Sequence, residues 1–277
     1  MKSGTGLKEK NAVSRILLIL ISLFYLIPFY LVICLSLKPE SDFSSRWHFP
    51  GFGFLDNFTK AWTQGNLGKA FLNNVIIVLF SLALIIIFGS ICSYPLSRIK
   101  TKVSKTIHSI IIACTIVPGL TILVPLYKII VDLHGISHYW SIILLHVTFN
   151  MPLVVFLYTG FISMISTELD DAALIDGVSQ FGIVFRIIMP LLVPITITVI
   201  IVCGTGVWND FQFSLFFLQK NSMFTLTLSV SNFFSKYMSM VNQVAAGCII
   251  ATSPLLVAFL FLQKYFIKGL SSGALKL

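Results

Sequence analysis

The chain has 277 residues, 57% of them apolar and only 10% charged, with a net charge of +9. A soluble domain carries about 25% charged residues, so this composition excludes an ordinary soluble fold and predicts an integral membrane protein. The basic residues flank apolar runs instead of sharing one face, which argues against nucleic acid as a partner.

Residues 1–15 carry Lys2, Lys8, Lys10 and Arg15 and read as a cytoplasmic N-terminal tail. The apolar run Ile16–Leu37 is longer than a signal-peptide core and no small-residue cleavage site follows it, so it predicts a retained membrane helix. A helix needs about 20 apolar residues to cross the hydrocarbon core. Five further stretches meet that length: Phe71–Pro95, Ile107–Tyr127, Tyr139–Met164, Ile187–Val207 and Val244–Phe266. Inside a bilayer the backbone must satisfy its own hydrogen bonds, and the alternation of a barrel strand is absent. The expected fold is an all-α membrane protein with six transmembrane helices over residues 16–266, and a cytoplasmic tail over 267–277.

With six crossings both termini lie on one side. Twelve of the 19 Lys and Arg residues fall on that side, so the positive-inside rule places it in the cytoplasm. Pro118-Gly119 and Pro125 interrupt the third stretch, Pro152 the fourth and Pro254 the sixth. Such prolines bend helices and fit either ordinary membrane-helix usage or a path lined by bent helices. Two external segments, Lys38–Ala70 and the aromatic-rich Trp208–Gln243, are long enough to expect a function.

Cys34, Cys92, Cys114, Cys203 and Cys248 each lie in an apolar stretch without a Cys-x-x-Cys pair, and read as packed apolar residues. His134 and His138 have the spacing of metal ligands, but no third ligand accompanies them, so no metal site is expected. His146 lies within the fourth stretch, where packing is the simpler reading. No Gly-x-x-x-x-Gly-Lys-[Ser/Thr] phosphate loop occurs; Gly68-Lys69 lacks both the earlier glycine and the following hydroxyl. No cofactor is expected on this chain, and no catalytic residue is evident.

The loop 165–190 holds Glu168, Asp170, Asp171 and Asp176 between two apolar stretches. Thr167 and Asp170 have capping-box spacing, and the acids fall in a first helical turn. Leu169, Ala172, Ala173 and Asp176 recur at the spacing of one helix face. Gly177 suits a left-handed helix end, and Ser179 can cap a second helix. The loop therefore predicts a helix–turn–helix with small residues open to a partner.

Asp171-Ala172-Ala173, then Gly177, then Ile187-Ile188-Met189-Pro190 resembles the Glu-Ala-Ala signature of permease subunits of bacterial ABC importers, with Asp for Glu and Met for Leu. Trp208-Asn209-Asp210-Phe211 and the ending Gln263–Leu277 resemble the six-helix, maltose-importer-like carbohydrate branch. The resemblance implies an ABC importer type I permease fold in a bacterial cell membrane, moving a sugar by alternating access. It implies that Glu168, Asp171, Ala172, Ala173, Asp176 and Gly177 couple to an ATPase. It implies that Gly269, Gly273, Ala274 and Lys276 reach between two ATPase subunits, which hold ATP and Mg. A homologous second permease and an extracytoplasmic solute-binding protein complete the implied assembly. Thr148 and Asn150 beside Pro152, with Trp208 and Asn209, are expected along the substrate path. A permease for another solute such as a polyamine, a membrane-embedded enzyme and an ion-driven carrier are the alternatives. The last two would need clustered or intramembrane ionisable groups.

Overall fold

Twelve helices and two short 3-10 turns, Cys114–Ile116 and Asn221–Met223, account for the regular structure of the described residues in this computed structural model: α1 Thr5–Ser36, α2 Asp56–Gln64, α3 Leu67–Arg98, α4 Lys102–Ala113, α5 Leu123–Asp132, α6 Tyr139–Ile162, α7 Glu168–Ile175, α8 Gln180–Leu191, α9 Val193–Trp208, α10 Gln212–Phe217, α11 Leu226–Lys236 and α12 Val241–Ala274. The structure describes residues 5–51, 53–236 and 240–274, with side chains for 14–51, 53–236, 240–261 and 263.

Segments Ser14–Ser36, Leu67–Arg98, Tyr139–Ile162 and Val241–Phe261 are each long and apolar enough to cross a membrane. The fifth expected stretch is a bent pair. α8 and α9 meet at 78° around Leu192. Pro194 cannot donate to the preceding turn, and α8 carries a π-helical stretch over Ile183–Ile188. The third expected stretch is broken. α4 passes into a 3-10 turn at Cys114–Ile116, the chain turns at Pro118-Gly119, and α5 begins at Leu123. Neither half is long enough to span alone.

The chain divides into two compact units. The first takes Met1–Gly68 and Val230–Thr252. There α1 leaves its apolar surface uncovered from Ile16 to Phe29. Its C-terminal end is tied down by amides: Asn57 Nδ2 donates to the carbonyls of Ser36 (2.9 Å) and Lys38 (2.8 Å), and Asn242 Nδ2 to those of Lys38 (2.9 Å) and Pro39 (3.1 Å). The bond to Ser36 satisfies a carbonyl that the last helical turn leaves free, and the others fix the chain just after it. Lys38, expected in an external loop, is buried, with Nζ donating to Ser44 Oγ (2.7 Å) and Ser45 O (2.8 Å) and lying 3.7 Å from Asp42.

The second unit takes Lys69–Ser229 and Ser253–Leu277. Its core gathers Ile77, Ile85, Ile142, Val154, Tyr158, Ile162, Ile183, Ile188 and Val199 around α6. α6 is apolar on all sides, as a central helix must be. In a bilayer, helices associate through close packing more than through water exclusion. The close approach is visible at Gly89, where a Cβ would stand 2.5 Å from Val154 Cγ1.

Candidate functional site

The acid-rich loop forms α7, a turn and α8. Thr167 takes helical dihedrals and makes no side-chain cap bond. The expected capping box is not formed, because Asp170 is engaged elsewhere. Its carboxylate receives Arg98 Nε at 2.6 Å and Tyr94 Oη at 3.2 Å, and its side chain is 9% exposed. Ser166 Oγ accepts from the Glu168 N–H instead, at 3.3 Å. The expected helix face also divides. Ala173 is buried with Asp170, while Leu169, Ala172 and Asp176 are exposed. The outward surface of α7 thus presents Glu168, Asp171, Ala172 and Asp176 with Leu169, Leu174 and Ile175.

Gly177 has φ +76°. Its N–H bonds Leu174 O at 3.0 Å and the Val178 N–H bonds Ala173 O at 2.9 Å. This pair of bonds is the Schellman closure of a helix, which a left-handed residue makes possible. Ser179 Oγ accepts from Gly182 N–H at 3.2 Å and starts α8. The two helices are therefore set by a glycine stop and a serine start.

The C-terminal end of α3 completes this corner. Arg98 Nη1 donates to Ile162 O (3.2 Å) and Ile165 O (2.9 Å), at the end of α6, while its other nitrogens hold Asp170. Arg98 and Tyr94 did not figure among the expected site residues. Their signal was the four-residue spacing that puts both on one face of α3.

The second group of expected residues lies around α6 and α9. Thr148 Oγ1 donates to Leu144 O (2.8 Å) and Asn150 Nδ2 to His146 O (2.8 Å), both along their own helix. Trp208 is buried, edge-on to Phe71 at 6.0 Å, and its carbonyl accepts from Asn74 Nδ2 at 3.2 Å. Asn209 ends α9 and is exposed. Asp210 accepts from the N–H groups of Phe213 (3.1 Å) and Ser214 (2.8 Å), which starts α10. His146 Nε2 is buried and lies 3.9 Å from Asp210. α6 therefore meets the 208–210 corner at the level of His146. The sequence placed these residues in two separate stretches and did not pair them.

Gly269, Gly273 and Ala274 fall in the last turns of α12, where side chains are outside the described set, and Lys276 lies outside the described residues. Among the described residues no cluster of three metal-ligating side chains occurs.

Residues 85–272 match the protein family described as the binding-protein-dependent transport system inner membrane component. The chain belongs to this family. It is a membrane-embedded permease subunit of an ABC importer and not an enzyme. It is 46% identical over 253 residues to the melibiose/raffinose/stachyose import permease protein MelC of Bacillus subtilis, covering 91% of this chain and 92% of that one. The probable starch degradation products transport system permease protein AmyC of Thermoanaerobacterium thermosulfurigenes is 34% identical, over 93% of this chain and 94% of that one. In fold, the chain is similar to a chain of a bacterial ABC transporter that imports the acidic polysaccharide alginate. The TM-score is 0.81 at 18% identity, over 96% of this chain and 99% of that one.

Proposed function

We propose that the chain carries a neutral oligosaccharide across the membrane, with melibiose, raffinose and stachyose as the first substrates to consider. The observation that carries this reading is the 46% identity, over nine-tenths of both chains, to a permease for those sugars. The composition of the spans supports it. No Asp or Glu occurs in Ser14–Ser36, Leu67–Arg98, Tyr139–Ile162, Val193–Trp208 or Val241–Phe261. The remaining pair, α4–α5, holds one acid, Asp132 at its last residue, so the spans offer a cation such as a polyamine little counter-charge, whereas hydroxyls and amides suit a neutral sugar.

In this reading six crossings are reached by counting α4–α5 as a broken third and α8–α9 as the fifth, with both termini in the cytoplasm. A homologous permease pairs with the chain around one path. Two ATPase copies bind ATP and Mg and dock against Glu168, Asp171, Ala172, Asp176 and Gly177, while the buried Ala173 seats α7 on the permease core instead of meeting the ATPase, and the tail with Gly269, Gly273, Ala274 and Lys276 reaches between them. An external solute-binding protein delivers the sugar. The ATPase closes on ATP, α7 moves as a lever, and the bundle opens outward. The sugar biases this equilibrium only by unequal affinity for the two states. Thr148, Asn150, Trp208 and Asn209 line the path. Trp208 does so as the packed wall at the corner where Asn209 is open.

Uptake of labelled raffinose by the source cells tests the reading. Deleting the chain should abolish uptake, a plasmid copy should restore it, and excess melibiose should compete. Unchanged uptake in the deletion strain would refute it.

A further inference from the structure

α7 has eight residues, too short to be helical on its own. Thr167 gives it no side-chain cap. Its chain connections are the short segments 163–167 and 176–179. What fixes it in place is therefore tertiary. Its own Ala173 is buried in the core, and Asp170 in its first turn is held by Arg98 and Tyr94.

Arg98 is the last residue of α3. Its guanidinium reaches two other elements at once. Nε and Nη2 face the two oxygens of Asp170 at 2.6 and 3.4 Å. Nη1 serves the carbonyls of Ile162 and Ile165 at 3.2 and 2.9 Å. The cation thus sits at the negative end of α6, and the anion at the positive end of α7, each where the helix dipole favours it. The planar fork holds both in fixed directions, which an ammonium cannot do. Both side chains are about nine-tenths buried, at 11% and 9% exposed, so solvent screens the pair little.

We propose that Arg98 is a positioning residue for transport: it joins α7 to the inner ends of α3 and α6, so that a displacement of α7 moves both spanning helices together. This rests on the ABC permease reading. A charge-reversed pair should not restore the joint, because a carboxylate at position 98 would face the α6 carbonyls and a guanidinium at position 170 would sit at the positive end of α7.

The test uses the importer complex purified with its ATPase and reconstituted in liposomes with its binding protein, comparing wild type with Arg98→Gln, with Arg98→Lys and with the double variant that combines Arg98→Asp and Asp170→Arg. Three quantities are read: co-purified ATPase, ATP hydrolysed per raffinose imported, and amide exchange across 168–176. Arg98→Gln should retain the ATPase while ATP consumed per sugar rises roughly tenfold, a size that ordinary coupling free energies supply. Arg98→Lys should fall between, and the swapped pair should match Arg98→Gln. An unchanged ratio in Arg98→Gln, or loss of the ATPase from every variant, would overturn the proposal. If wild type imports no sugar, the substrate reading fails by itself. Exchange then decides the joint: 168–176 roughly tenfold faster in Arg98→Gln with 193–208 unchanged supports it, and unchanged exchange overturns it.

Discussion

Lys38 counts in the sequence as one more external charge, yet it is 2% exposed and bound to Ser44, Ser45 and Asp42. Removing one member of a buried polar cluster leaves the others without partners. Lys38→Ala should lower stability by about 3 kcal/mol, read as thermal unfolding of the detergent-purified chain, while a surface lysine such as Lys69 changed to Ala should leave it near wild type. Gly177 makes the opposite case. No atom lies within 4 Å of a Cβ built there, so Gly177→Ala meets only the cost of φ +76°. That cost is about 1 kcal/mol, enough to loosen the α7 stop. The expected outcome is reduced uptake with unchanged amounts of chain in the membrane, measured by transport and immunoblot. Gly177 was legible because Asp-Gly after a short acidic helix is a local pattern. The partner of Asp170 was not, because Arg98 lies 72 residues away and only the fold brings them together.

At the scale of elements, apolar length alone located Ser14–Ser36, Leu67–Arg98, Tyr139–Ile162 and Val241–Phe261, because a bilayer imposes that length. The break at Pro118-Gly119 was legible in the residues themselves. The 78° bend at Leu192 was not, since Val193-Pro194 lies inside an unbroken apolar run whose hydropathy carries no angle. How helices approach one another was equally hidden. Gly89 looks like any small residue in sequence, but Val154 stands where its Cβ would be, and a valine in a helix has little freedom to rotate away. Gly89→Ala should therefore separate α3 from α6 and cost about 1–3 kcal/mol. Thermal unfolding checks this, with Gly160→Ala, which meets no atom within 4 Å, as the comparison.

For the whole molecule, the composition placed the chain in a membrane and the 171–190 spacing pointed to its class before any helix was seen. The substrate was beyond that reading, because a sugar path of hydroxyls and amides has no fixed spacing, and relatives supplied the candidate sugars. The functional account joins a set of spans whose one acid is Asp132, at the end of α5, to a lever whose Arg98 joint spans three elements. It requires that ATP be used by another subunit and that the chain move sugar only when that subunit works. The most direct measurement is import of labelled raffinose into proteoliposomes containing the purified complex. Accumulation should need ATP at the α7 side and the binding protein at the other, and should vanish when either is left out. Accumulation that proceeds without ATP, or none at all with every component present, would contradict it.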